Sequence, residues 1–381
     1  MIYKLKELIK GNKLFYKTYF YSMSFVVNFI KLFVTPDDKV MLFVCFGGRH
    51  YSDSPKAIFE YLKKDKRFKG YKYIWAFVNP EQYNIEGADK IEIDTLKYYL
   101  TALKARVWIT NVVVERALYF TGKHTFYLCT SHGIPLKGKR KEGKAFQVSY
   151  PCLYDIIMAQ SEIDIKIQQE EFNITADKIA LTGYPRNDKF AGDISIYEKK
   201  IRHFYEIPEN KKILLYAPTF RDWNKGAEHL PFNILKWEKV LSNDYVLLFR
   251  AHPSVVFEDG IENNFFFKNA TKYEDLDELL MAADVLISDY SSLFFDYSIM
   301  HKPMICWAYD YSEFSKYRKL RVDIPHEVYG GEITEGQLLK ILKQSDFEES
   351  IQRTVDFQKK YVTLYGSASK AAADIIYEKI K

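Results

Sequence analysis

A chain of 381 residues is long enough for two domains, and its 17% aromatic content can fill large cores. Fifty-five lysines and arginines against 50 aspartates and glutamates leave a net charge of +5, too mild a bias to imply nucleic acid, and no DNA- or RNA-reading motif is present. Cys45, Cys129, Cys152 and Cys306 lie in or beside apolar runs without metal-ligand spacing and read as core residues of a reducing compartment, and no signal-peptide pattern opens the chain.

The first predicted element is a helix. Lys10, Lys13, Lys17, Tyr21, Ser24, Asn28 and Lys31 recur every three or four residues as one narrow polar stripe. Phe15, Tyr19, Phe20, Phe25, Val26, Phe29, Ile30 and Phe33 fill the remainder. The 13 uncharged residues between Lys17 and Lys31 are too few to cross a bilayer. A basic stripe beside a broad aromatic face predicts that residues 1–34 lie on an anionic membrane surface. The competing uses are packing on the protein's own core or forming a homo-oligomer.

Pro36 ends that helix. Apolar runs at 39–46, 71–78, 106–110, 124–129, 155–159 and 178–182 predict strands, with helices ending at 61 and covering 96–105. A second alternating run begins near Lys212, with strands at 213–217, 245–250, 285–287 and 304–307 and helices at 293–300, 338–342, 347–364 and 369–381. Such alternation predicts two doubly wound α/β domains, each with a parallel sheet, facing a central cleft. Ligands bind outside the carboxyl ends of such strands.

The chemistry-bearing residues fall at those strand ends. After the strand at 285–287 comes the polar turn Ser288-Asp289-Tyr290-Ser291-Ser292, then a helix with Asp296 one turn on. Free amides at a helix start, joined by two hydroxyls, suit a diphosphate; the plainer reading is a serine N-cap. His132 and His252 each follow a buried strand, one in each half, and suit a general base and a phosphate stabiliser. His50, His124, His203, His229, His301 and His326 lack such context. Arg221 and Arg250 also follow strands, where a guanidinium fork fits phosphate oxygens, although either can instead pair with Asp222 or Asp289. Gly48 and Arg49 after the first strand, and Lys137 after His132, are expected on the acceptor side. The basic run continuing through Lys139, Arg140, Lys141 and Lys144 reads as a solvated loop that also suits an anionic acceptor or lipid headgroups. Asp275 and Asp277 have Asp-x-Asp spacing but read as first-turn helix acids, so no metal and no cofactor are expected. Neither a glycine-rich phosphate loop nor a serine nucleophile elbow is present.

Five motifs in order carry a resemblance: Ser131-His132-Gly133-Ile134-Pro135-Leu136-Lys137, Gly183-Tyr184-Pro185-Arg186-Asn187-Asp188, Tyr216-Ala217-Pro218-Thr219-Phe220-Arg221-Asp222, Arg250-Ala251-His252-Pro253, and 288–296 with Lys302-Pro303 and Tyr309-Asp310 behind it. They resemble the CDP-glycerol glycerophosphotransferases of wall teichoic acid and capsule synthesis. The resemblance implies a GT-B-like fold, a CDP-alditol donor held by the C-terminal domain, and release of CMP. It implies His132 as catalytic base, His252 as a second essential histidine, Thr219, Arg221, Ser291 and Ser292 at donor-binding positions, and Asp296 on the ribose. The domains are then expected as 1–34, a membrane-interface helix; 35–190, the acceptor side; 191–360, the CDP-donor side; and 361–381, a C-terminal helix. The implied acceptor is a polyprenyl-diphosphate-linked glycan or growing chain at the cytoplasmic face of the membrane. Ser131 and Ile134 replace the family's usual Trp and Thr, and 324–331 replaces a common Pro-Gly-Pro-like loop; these changes bear on the acceptor and the alditol more than on reaction class. The competing readings are a CDP-ribitol enzyme, a UDP-sugar transferase or epimerase of the same fold, and a non-catalytic nucleotide- or glycan-binding subunit.

Overall fold

The computed structural model of the chain describes residues 12–138, 151–221, 230–251, 262–344 and 346–381. They divide into two compact units, one drawn from Met1–Ile134, Gly143–Asp188 and Leu364–Lys381, the other from Pro135–Glu142 and Lys189–Thr363.

In the first unit β1 (Asp37–Val44), β2 (Lys72–Phe77), β3 (Asp89–Glu92), β4 (Ala105–Thr110), β5 (Phe126–Cys129), β6 (Ile156–Ala159) and β7 (Ile179–Leu181) form one sheet in the order β3-β2-β1-β4-β5-β6-β7. Every pairing in it is parallel. The strand period of two divides β1 between two cores. Met41 and Phe43, with Cys45 just beyond the strand, join Ile58, Phe59 and Trp75 on one face, while Val40, Leu42 and Val44 join Tyr98, Ala102 and Trp108 on the other. Helices cover both faces, so the central strands read as continuous apolar runs. Asp53–Leu62 and Ala368–Ile380 pack on the first face and Leu96–Lys104 on the second. The C-terminal helix therefore belongs to the first unit. Its start is capped by Asp188, whose carboxylate accepts from the amides of Ala368 (2.8 Å) and Ser369 (2.7 Å).

The second unit repeats the plan with β8 (Lys212–Tyr216), β9 (Tyr245–Phe249), β10 (Phe267–Asn269), β11 (Val285–Ser288), β12 (Met304–Trp307) and β13 (Gly330–Gly331), in the order β10-β9-β8-β11-β12-β13 and all parallel. Each unit is thus doubly wound, as the alternation predicts. The strand order reverses between β1 and β4 in one unit and between β8 and β11 in the other, and ligand sites form at such switch points. The strands β3, β10 and β13 are not among the predicted ones; each buries a single residue, Ile91, Phe267 and Gly331, which gives periodicity little to register.

The N-terminal helix, Lys13–Lys31, departs from the simple stripe. Ser24 and Asn28, expected on the polar outer face, turn inward and hold the backbone of Tyr119. Ser24 Oγ accepts from its amide at 2.8 Å, and Asn28 Nδ2 donates to its carbonyl at 2.7 Å. Tyr16, Phe20 and Val27 are buried beside them. The outer face is aromatic: Phe15, Phe25, Phe29 and Phe33 are 52–75% exposed. The helix therefore packs on its own unit along a narrow seam and leaves a broad apolar face open. Among the described residues no helix is long and apolar enough to cross a membrane.

Candidate functional site

In the first unit, β1 runs into Phe46, Gly47 and Gly48, and β4 runs into Asn111. The two ends are joined by the side chain of Asn111, whose Oδ1 accepts from the Phe46 amide at 2.8 Å. Gly48 is the tight point of this turn. Its φ is +84°, its carbonyl accepts from Val78 N at 2.7 Å, and a Cβ would lie 3.1 Å from the Ala76 carbonyl oxygen. Arg49 is exposed, with its guanidinium on the Phe46 carbonyl at 3.2 Å and its own carbonyl accepting from Tyr83 Oη at 2.6 Å. Arg116 braces the same turn, donating to Gly47 O at 3.3 Å while paired with Asp94 at 2.8 Å.

His132 follows β5, the neighbour of β4. Ser131 takes a left-handed conformation (φ 54°) and its Oγ donates to Gly133 O at 2.8 Å, which turns the imidazole outward from a buried loop. The ring is exposed, and Nδ1 lies 3.3 Å from the Asn111 carbonyl oxygen. Phe46 contacts both His132 and His50 edge-on, at centroid distances of 6.2 and 5.7 Å. Behind the loop after β4, buried tyrosines satisfy the backbone. Tyr154 Oη donates to Val112 O, Tyr98 Oη donates to Val114 O, and Tyr127 Oη accepts from Val114 N at 2.8 Å while donating to Glu115 at 2.7 Å. Burial raises the Glu115 carboxyl above its ordinary value.

In the second unit the switch point lies between Ala217 after β8 and Asp289 after β11. Asp289 Oδ1 accepts from the amides of Thr219 (2.8 Å) and Tyr290 (2.6 Å), so one carboxylate shapes both strand exits. Arg221, expected to reach a ligand phosphate or to pair with Asp289, takes the second course and adds Asp310. It lies 2.8 Å from Asp289 and makes a two-pronged pair with Asp310 at 2.7 and 2.9 Å, and Tyr290 Oη donates to Asp310 at 2.8 Å. Burial works against the guanidinium's charge, but the two carboxylates outweigh it and hold its pKa above the ordinary value. Arg250 is also turned inward, donating to the carbonyls of Ala270 (3.0 Å) and Tyr273 (2.5 Å), and burial lowers its pKa.

Ser291 and Ser292 remain half-buried at the start of the helix Leu293–Ser298; Ser291 Oγ accepts from Leu293 N at 3.3 Å, and Ser292 makes no side-chain capping bond. That helix has six residues, so local amides and hydroxyls rather than a long dipole would meet an anion there. Asp296 is 4% exposed, deeper than the half-buried Ser291 and Ser292. Lys137 falls in the second unit, with Nζ 3.5 Å from Thr219 Oγ1 and its carbonyl accepting from Arg321 at 3.1 Å. Asp275 and Asp277 both meet the ammonium of Lys189, at 3.2 and 3.0 Å. His252, Asp222, His229 and the run from Lys139 to Lys144 lie outside the described residues.

The residues that hold these loops give little signal in the sequence. Asp53 and Asn111 carry no motif. Asp310 does, in Tyr309-Asp310 behind the serine turn, and that pairing of an aromatic and an acid was its available signal. The Gly183-to-Asp188 motif is explained by packing: Gly183 (φ +81°) passes so close to Leu364 that a Cβ would lie 2.5 Å from its carbonyl oxygen, and Tyr184 Oη donates to buried Asp164 at 2.6 Å.

Comparison with known proteins identifies the kinship. Residues 26–380 match the family described as CDP-Glycerol:Poly(glycerophosphate) glycerophosphotransferase. The chain is 31% identical to a teichoic acid glycerol-phosphate transferase of Staphylococcus aureus, over 93% of this chain and 97% of that protein. It is 32% identical to a teichoic acid poly(glycerol phosphate) polymerase of Staphylococcus epidermidis over 90% of this chain, but spans only 51% of that longer protein. A solved structure of the wall teichoic acid polymerase TagF, a histidine variant soaked with CDPG, superposes with a TM-score of 0.79 at 28% identity, over 93% of this chain and 92% of that one. The fold is accordingly GT-B-like, and with the match running from residue 26 to 380 the chain belongs to the CDP-glycerol:poly(glycerophosphate) glycerophosphotransferase family.

Proposed function

We propose that this protein transfers glycerol phosphate from CDP-glycerol to a hydroxyl of a polyprenyl-diphosphate-linked glycan or a growing teichoic acid or capsule chain, releasing CMP. The observation that carries the reading is the exposed imidazole of His132 at the carboxyl end of β5, anchored through Nδ1 and open at Nε2. Nε2 takes the proton of the acceptor hydroxyl as its oxygen bonds to the β-phosphorus. The bond from that phosphorus to the bridging oxygen breaks, and CMP departs with the oxygen. Ser291, Ser292 and the Thr219 loop supply neutral donors for the diphosphate, and Asp296 and His252 keep their proposed donor-side roles. Arg221 acts on the donor indirectly, by fixing Asp289 and hence the Thr219 amide. Gly48 and Arg49 are assigned to the acceptor. Most of the acceleration comes from positioning and charge stabilisation.

The N-terminal helix completes the reading. Its open aromatic face, flanked by Lys13, Lys17 and Lys31, suits the interface of an anionic membrane, where a polyprenyl-linked acceptor resides. The whole chain should pellet with anionic vesicles at low salt and less at high salt; failure to pellet at low salt removes this part. The reaction itself is tested by incubating the protein and a lipid-linked acceptor with CDP-glycerol, CDP-ribitol or UDP-glucose. CMP release confined to CDP-glycerol is the expected result. Turnover of UDP-glucose, or of no donor, overturns the assignment, and preference for CDP-ribitol changes the alditol.

A further inference from the structure

Three buried side chains converge behind the exposed imidazole. Asn111 is 1% exposed, and its side chain bridges the Phe46 amide (2.8 Å) and Asp53 Oδ2, to which Nδ2 donates at 2.9 Å. Asp53 holds a left-handed backbone (φ 58°) and pairs through Oδ1 with Arg186 at 3.3 Å. Arg186 is 7% exposed, lies over the Tyr184 ring, and takes its amide to Ser54 Oγ. The peptide that carries the Asn111 carbonyl is thus fixed from its own side chain. On the next residue, Val112 N donates to Thr110 Oγ1 at 3.1 Å and Val112 O accepts from Tyr154.

A carbonyl oxygen can only accept. The contact at 3.3 Å therefore requires the proton on Nδ1 of His132, and it leaves the Nε2 lone pair as the base. In a solvent-exposed imidazole without this partner both tautomers coexist, and the form with the proton on Nε2, the wrong nitrogen, predominates. We propose that Asn111 is a positioning residue that sets the tautomer and orientation of His132, and that Asp53, backed by Arg186, is the clamp that keeps Asn111 in place. The proposal rests on the reading of His132 as the base and adds to it the device that makes one nitrogen basic.

The test uses the full chain labelled with ¹⁵N-histidine, the His132 signals being assigned by their loss in His132→Gln. With the imidazole neutral, wild-type His132 is expected as the Nδ1–H tautomer; a dominant Nε2–H tautomer overturns the proposal, whatever the variants do. Asn111→Ala is expected to lose turnover tenfold or more, up to about 10²-fold, at unchanged KM for CDP-glycerol, the scale of a small misplacement of a reacting group. Its His132 signal should move toward Nε2–H. Asp53→Asn keeps an acceptor for Asn111 and tolerates the left-handed backbone, so its turnover should stay within a few-fold of wild type, whereas Asp53→Ala should resemble Asn111→Ala. Wild-type turnover and tautomer in folded Asn111→Ala would overturn the positioning role. Should His132→Ala retain turnover, the base assignment fails instead, and the tautomer measurement still stands on its own.

Discussion

At the β1/β4 end of the first unit the group facing solvent is an imidazole, held from behind by one peptide carbonyl. At the β8/β11 end of the second unit the strongest charge, Arg221, is buried between Asp289 and Asp310, and hydroxyls and amides remain nearer the surface. Both are strand ends at a topological switch point, so the fold alone does not distinguish them. What distinguishes them is where the charge is satisfied. An arginine whose fork is already filled by two carboxylates shapes a loop; an imidazole with one nitrogen anchored and the other open can exchange a proton.

That contrast is most directly broken by substituting the two residues in turn. His132→Ala should cut turnover about 10²–10⁴-fold, the range of a general base, while calorimetric CDP-glycerol binding and the thermal midpoint hold. Near-normal turnover would move the base elsewhere. Arg221→Ala should instead cost about 3–5 kcal/mol of stability in denaturant titration, because it leaves two carboxylates of a buried cluster without their cation. If it folds with full stability and only donor binding is lost, Arg221 touches the ligand rather than shaping the loop.

A second pair of buried carboxylates sharpens the point. Asp289 has Arg221 against it, whereas Asp164 is fully buried with neutral direct donors: Tyr184 Oη (2.6 Å), the Gln160 amide (3.0 Å) and Gln168 Nε2 (3.1 Å). Burial raises its carboxyl from 3.8 to about 6 despite those bonds. The folded state therefore holds the proton more tightly than the unfolded chain. The associated stability is complete below about pH 4 and is lost as pH rises through about 6. Asp164→Asn should abolish this slope, worth at most ~3 kcal/mol for a two-unit shift. A wild-type stability that rises over the same pH interval relative to the variant would reverse the assignment.

The smallest effects concern the two faces of the N-terminal helix. Ser24→Ala removes the acceptor of the Tyr119 amide and should cost about 1 kcal/mol in thermal unfolding. Phe25→Asp with Phe29→Asp lies on the open face and should change stability by no more than about 0.5 kcal/mol while abolishing vesicle binding. Equal stability losses for both variants would mean that the aromatic face is covered.

Hydrophobic periodicity was enough to read the doubly wound plan of both units, the central strands, and the positions of His132 and the serine turn at strand ends. It sufficed because buried parallel strands must be apolar on both faces and must end in polar turns. The family was legible too, in five ordered motifs. Only the tertiary structure shows which motif side chains are taken up in holding a loop and which stay at the surface. Arg221 and Ser291 look equally available in sequence, but Asp310, 89 positions beyond Arg221, fills its guanidinium. Asn111 and Asp53, 58 positions apart, meet only when β1 and β4 become neighbours. Likewise Ser24 and Asn28 fit a polar stripe by spacing alone and turn inward because the peptide of Tyr119 needs a donor and an acceptor there. Periodicity records which side chains can be buried; the partners that satisfy a polar group come from distant segments, and only the fold brings them together.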